Sequence, residues 1–294
     1  MTRTINADLM LDAGASLGEC PVWDGASGRL RWVDINPGVV HDLDVESGED
    51  RATEIGPTVG ALALRASGGL VLARNHGVST LGEDGTVTEA VVFDGEAGRD
   101  GQRMNDGQCD PAGRFWTGSI VMDNSGPNGA LYRVEADLST SVVRTGVSVS
   151  NGLGWSPDAT TMYFIDSMSG GVDAYRYDRD SGEVTERRRF VDVDFEHGEP
   201  DGLTVDADGC VWFAIWRAGE ICRYTPDGEL DTLVRVPASL TTSCCFGGTD
   251  LDTMFITSAT CDLTPEQRAD QPHAGALFVC RPGVTGLPTT PFAG

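Results

Sequence analysis

Glu19 in LGECPVW, Asn105 in RMNDGQCD, Asn151 in VSNGLGW and Asp201 in EPDGLTV share one setting, an oxygen-bearing side chain directly before a short apolar run. Two carboxylates and two amides gathered at one point suit a hard divalent ion, because Ca²⁺, Mg²⁺ and Mn²⁺ prefer oxygen ligands. Zn²⁺ usually takes His or Cys, and neither stands at these positions, although a carboxylate-rich site also accepts it. Carboxylates withdrawn from water need compensation, and a bound cation supplies it. Arg103, two residues before Asn105, reaches toward the same place, where its forked donors suit a hydroxylated or anionic ligand. These residues also have plainer uses. Asn105-Asp106-Gly107, Asn151-Gly152 and Asp201-Gly202 are good turn sequences, and an Arg can serve a surface ion pair. Glu19 stands apart, since Glu is not a favoured turn residue and this one abuts Pro21-Val22-Trp23.

Other chemistry is poorly represented. The chain has no GxSxG elbow, no HExxH, no phosphate-binding GxxxxGK(S/T) and no GxGxxG after a strand. Its four histidines share no motif; His197, near Glu199 and Asp201, reads as a loop residue. The eight cysteines form no CxxC pair and lie mostly in apolar runs, so they read as reduced, buried small hydrophobes rather than zinc ligands. Of the vicinal pair Cys244-Cys245, alternation along a strand turns one toward the core.

For distant residues to meet, the chain must bring many short strands to a common axis. Apolar runs alternate and turn signals rich in Asp and Gly recur every few residues, while helical periodicity is nearly absent outside 264–270, TPEQRAD. One unit repeats: a strand, an Asp/Gly turn, a second strand with an aromatic or Leu, then a third strand ending in a polar turn. Copies begin at Cys20, Ala61, Asp106, Gly152, Gly202 and Cys245, at spacings of 41, 45, 46, 50 and 43 residues. Such a period with four strands per repeat is a propeller signature. The expectation is an all-β chain, a six-bladed β-propeller with four-stranded antiparallel blades, occupying residues 1–294 as a single domain. The N-terminal segment is expected to supply a strand to the last blade, and Trp23, Trp32, Trp116, Trp155 and Trp212 to sit in blade cores. Residues preceding the innermost strands then converge on one mouth of the central channel. The two remaining blades offer Thr58-Val59-Gly60 and Ser243-Cys244 there, without a strong ligand.

Composition narrows the partners. Acidic residues outnumber basic ones 45 to 21, every basic residue is Arg, and the formal charge is -24. Phosphate backbones and anionic membrane surfaces need a positive footprint, so neither nucleic acid nor membrane is an expected partner. With no signal-peptide core, no 18-residue apolar run and no disulfide pattern, the expected setting is cytoplasmic.

The stretches LGECPVWD, WVDI, RMNDGQCDPAGRFWTGS, SNGLGWSPD, DAYRYD, EPDGLTVDADG, TTSCCFGG and GALFV, in that order over residues 17–280, resemble the regucalcin (senescence marker protein) and gluconolactonase family. The resemblance implies a six-bladed propeller that hydrolyses a sugar lactone with one divalent metal, whether Ca²⁺, Zn²⁺, Mn²⁺ or Mg²⁺. It implies Glu19, Asn151 and Asp201 as metal ligands, Asp201 also as general base, and Arg103 and Asn105 as substrate contacts. Asp123, in SIVMDNSG, falls where relatives often carry Glu, and implies a substrate contact one methylene shorter. The expected reaction is metal-assisted hydrolysis of an aldonolactone to the aldonic acid. The alternatives are a calcium-binding or protein-binding propeller without turnover, and an organophosphate or aryl-ester hydrolase on the same fold.

Overall fold

A computed structural model of the chain describes residues 2–93, 101–122 and 126–294. Six sheets form a ring, each with four antiparallel strands that step outward from the axis, in chain order except where the N-terminus joins blades 5 and 6: a six-bladed β-propeller. The innermost strands are Gly18–Asp24, Val59–Leu64, Gln102–Cys109, Ser150–Trp155, Glu199–Val205 and Thr241–Gly247, one per blade from blade 1 to blade 6. Composition follows radius. The inner strand of blade 4, SNGLGW, is buried throughout, and so is most of VWFAIW beside the inner strand of blade 5. The outermost strand of blade 4, Val184–Asp192, is VTERRRFVD and mostly exposed. Inner strands face neighbours on both sides and are buried even where they carry polar residues; the outer strand of blade 4 faces water.

A device recurs in blades 3 and 5, in DPAGRFW and DADGCVW. Asp110 accepts from the backbone N–H groups of Ala112 and Arg114 and, 3.0 Å away, from the indole N–H of Trp116. Asp206 does the same with Asp208, Cys210 and, at 2.9 Å, Trp212. One fully buried carboxylate thus fixes a turn and the aromatic core of its blade together. All five expected core tryptophans are buried, at 7% exposure or less. Cys244 is buried and Cys245 only partly so, as alternation required.

The ring closes through the N-terminus in two places. Asp8–Leu11 forms the outermost strand of blade 6, as expected, pairing antiparallel with Leu277–Cys280. Arg3–Asn6 goes further and adds a parallel fifth strand to blade 5, against Leu230–Arg235. Deleting residues 2–11 would uncover both edges. The thermal midpoint is expected to fall by about 10 °C, since each kcal/mol lost shifts it by about 2–4 °C at comparable size. An unchanged midpoint in a melting experiment would show that the ring holds without this strap.

At the other chain end, residues 285–294 cross the far side of the propeller. Thr289 Oγ1 donates to the Trp23 carbonyl at 2.8 Å, Phe292 is fully buried, and Ala293 N–H donates to the Gly113 carbonyl. A cavity of about 200 Å³, lined by the far ends of the inner strands, lies beneath residues 287–290. No described helix is long and apolar enough to cross a membrane; the α-helix Pro265–Asp270 carries a capping box from Thr264 and Gln267.

Candidate active site

Each of the six inner strands carries a β-bulge at the same height. Register slips by one residue at Glu19/Val22, Val59/Ala61, Met104/Gly107, Ser150/Leu153, Pro200/Leu203 and Thr241/Ser243. A bulge releases side chains from strict alternation and re-aims them. Glu19, Asn105, Asn151 and Asp201 all fall in or beside these slips. Asn105, Asn151 and Asp201 therefore lie inside strands rather than in turns ahead of them. Their glycine neighbours answer to crowding instead: a Cβ on Gly202 would stand 2.1 Å from Ser243 Oγ. In blade 6 the bulged residue is Thr242, one position before the expected Ser243-Cys244. Its hydroxyl is bonded to the Gly18 carbonyl and to Thr257 Oγ1, leaving no free ligand there.

Glu19, Arg103, Asn105, Asn151 and Asp201 are all buried, each at 8% exposure or less. Glu19 Oε2 accepts from the Cys20 N–H at 3.0 Å, across a residue held at φ 47°. Arg103 Nη1 donates to Asn105 Oδ1 at 2.5 Å, and Asn105 Nδ2 donates to Asn151 Oδ1 at 2.8 Å. Asp123 lies outside the described residues.

Glu19, Asp106 and Asp201 lie within reach of one another's charge. Burial, then the charge of Asp106, push Glu19 up to about 8, against the pull of Cys20 N–H and Arg103. Burial, then Glu19, Asp106 and Glu199, hold Asp201 well above the usual carboxylate range. Asp106 itself rises to about 6 through burial, opposed by the Gly107 N–H. Arg103 falls to about 10, burial outweighing Glu19, Cys261 and Asp201. Glu19 and Asp201, both buried, share Arg103 as counter-charge, and Asp106 raises both, an arrangement that fits a divalent cation. The donor set fits it too, being all oxygen. Among the described residues no group of three or more His, Cys, Asp or Glu has metal-holding spacing, so any such ion would draw on Asn151 Oδ1 as well as carboxylates.

Asp106, whose charge raises both Glu19 and Asp201, is a residue that sequence reasoning passed over, because alternation places it on the face opposite Asn105. His197 is set aside from the cluster, bonded through Nε2 to Glu220 at 2.9 Å. A cavity of about 940 Å³ lies at the far ends of blades 1 and 2, lined among others by Trp23, Leu64 and Pro288, away from these residues.

The raised carboxyl groups bind protons more tightly in the folded chain than in the unfolded one. Their contribution to stability is therefore whole only below about pH 4, falls as pH rises, and is gone above about 6 for Asp106 and about 8 for Glu19. In chelator, the thermal midpoint is expected to fall between pH 5 and 9, and Glu19→Gln to flatten that slope. An equal slope in the variant would remove Glu19 from the buried cluster.

Residues 17–260 match the family described as SMP-30/Gluconolactonase/LRE-like region. The chain is 35% identical to regucalcin of Xenopus laevis over 301 residues, covering 99% of both. It is 34% identical to 6-deoxy-6-sulfogluconolactonase of Pseudomonas putida over 278 residues, covering 95% of both. Among solved structures, the calcium-binding protein regucalcin of Agrobacterium tumefaciens matches with a TM-score of 0.94 and 26% identity, over 100% of each chain.

Proposed function

The chain belongs to the SMP-30/gluconolactonase/LRE-like family, whose members make it a hydrolase of cyclic esters, and from that premise we propose that it opens an aldonolactone to the aldonic acid at the Glu19–Asp201 cluster. Glu19, Asn151 and Asp201 would hold one divalent ion. The carrying observation is the buried excess of negative charge, Glu19, Asp106 and Asp201 against Arg103. The Agrobacterium regucalcin structure, described as calcium-binding, supports Ca²⁺ as the first ion to try.

When bound, such an ion polarises the lactone carbonyl and acidifies water beside it. Asp201 takes a proton from the attacking water, a contribution of about 10²–10⁴-fold in general base catalysis. As the ring C–O bond breaks, the same carboxyl returns that proton to the departing ring oxygen. Arg103 and Asn105 bind the ring hydroxyls and hold the carbonyl carbon before the water. The acidic surface favours departure of the anionic product.

The test is a pH-indicator assay on metal-stripped protein with aldono-1,4- and 1,5-lactones, restoring Ca²⁺, Mg²⁺, Mn²⁺ and Zn²⁺ one at a time. Hydrolysis regained with one ion is the expected result. No turnover above the spontaneous rate with any ion would overturn the reading.

A further inference from the structure

A chain of hydrogen bonds runs through the site, and its sense is set at one end. A guanidinium can only donate, so the Asn105 oxygen must face Arg103 Nη1, 2.5 Å away. Asn105 then presents its Nδ2, which donates to Asn151 Oδ1 and to the Ser150 carbonyl, both at 2.8 Å. Asn151 in turn presents its Nδ2 to Ser167 Oγ at 2.8 Å. The hydroxyl proton of Ser167 is left to the Pro200 carbonyl, 2.6 Å away and one residue before Asp201.

Ser167 is buried at 4% exposure, in the short 3₁₀ turn Ser167–Ser169 that follows the second strand of blade 4. It is not itself in the inner ring, yet it touches blade 4 through Asn151 and blade 5 through Pro200. We propose that Ser167 is a positioning residue of the cation site, fixing the Asn151 amide with its oxygen toward the channel and tying the Asp201 strand to blade 4. The proposal rests on the reading of Asn151 and Asp201 as ligands. Without the hydroxyl, the Asn151 amide keeps the bond from Asn105 that sets its sense but loses the second bond that holds it, so its oxygen is no longer pinned at both ends. The Pro200 carbonyl would lose its donor at the same time.

Partners that orient a metal ligand typically change metal affinity by about 10–100-fold when removed. Calorimetric titration of metal-stripped protein with Ca²⁺ and with Mn²⁺, no lactone present, reads this directly. Ser167→Ala is expected to weaken binding 10–100-fold. Ser167→Cys, close in size but a poor hydrogen-bonding group, should weaken it in the same direction, and Ser167→Thr, which keeps the hydroxyl, should restore it to within about threefold. Melting in chelator separates this from general damage, since the affinity loss should exceed any change in the metal-free midpoint. Affinity within twofold of the unsubstituted chain for either Ala or Cys would overturn the proposal. Failure of the unsubstituted chain to bind either ion would overturn it together with the proposed function. Tight ion binding that follows the Ala, Cys and Thr order, without lactone turnover, would leave it standing and remove the lactonase reading alone.

Discussion

Asp201→Asn is expected to abolish metal-dependent lactone hydrolysis while raising the thermal midpoint of the metal-free protein. The two effects have one origin. Asp201 is buried beside Glu19 and Asp106, and its carboxyl is held well above the ordinary range by burial first and then by those charges. Each ionised carboxylate added there opposes folding, with Arg103 as the counter-charge that acts on both Glu19 and Asp201. Asn keeps the shape and removes the charge, so the folded chain in chelator is relieved of that repulsion at neutral pH. It also removes the proposed base and a proposed ligand oxygen, and a fall of at least about 10²–10⁴-fold is expected from the base alone. Stability gained with function lost is the pattern of a site whose strain serves its chemistry. The checks are the pH-indicator assay at saturating Ca²⁺ and a melt in chelator. Activity within tenfold of the unsubstituted chain would take Asp201 out of the reaction, and a lower midpoint would mean that its charge is compensated by protein.

The ring itself was legible because each blade repeats one strand-turn-strand unit within 41–50 residues, which only radial repetition accommodates. The site was legible for a related reason: oxygen-bearing residues recur at the same point of the unit, so a fold with an axis must bring them together. What stayed hidden depends on single-residue slips. Nothing in NDG, SNG or PDG distinguishes a turn from a bulge inside a strand, so these were placed one step too early. The same slip conceals Asp106, which alternation assigns to the far face, and it puts Thr242 where Ser243 was expected. Ser167 is hidden differently, since it belongs to a loop between the second and third strands of blade 4 and reaches the site through two hydrogen bonds. Arg3–Asn6 reads as a terminal strand, but whether it joins blade 5 or blade 6 depends on a parallel pairing that no local pattern announces.

The second large effect tests whether these bulges hold the site by contact between blades. Gly60→Ala is expected to cost about 1–3 kcal/mol or more of stability and roughly 10²-fold in kcat/KM, although Gly60 carries no functional group. Its backbone is not in the left-handed region, so the argument is one of space alone. A Cβ at Gly60 would stand 2.1 Å from the Asn105 carbonyl oxygen and 2.5 Å from that of Met104. Both atoms are backbone in the bulge of blade 3, so no side-chain rotation can relieve the clash. Blade 3 must move by about 1 Å, and Arg103 and Asn105 move with it. Blades 4 and 5 repeat the arrangement: a Cβ at Gly152 would meet Leu203 Cβ at 2.4 Å, and one at Gly202 would meet Ser243 Cα at 2.8 Å. Each glycine lets the next bulge approach, so spacing around the axis is passed from blade to blade. Gly25→Ala is the control, because the nearest atom to its Cβ is Trp23 Nε1 at an ordinary 3.5 Å, and it should leave both quantities unchanged. Urea midpoints and kcat/KM for the two variants decide the matter. If Gly60→Ala lost stability but kept its rate, the position of Asn105 would not be what limits turnover. If it lost rate with stability intact, blade 3 would have shifted as a rigid unit, and the clash would act on the reacting groups alone.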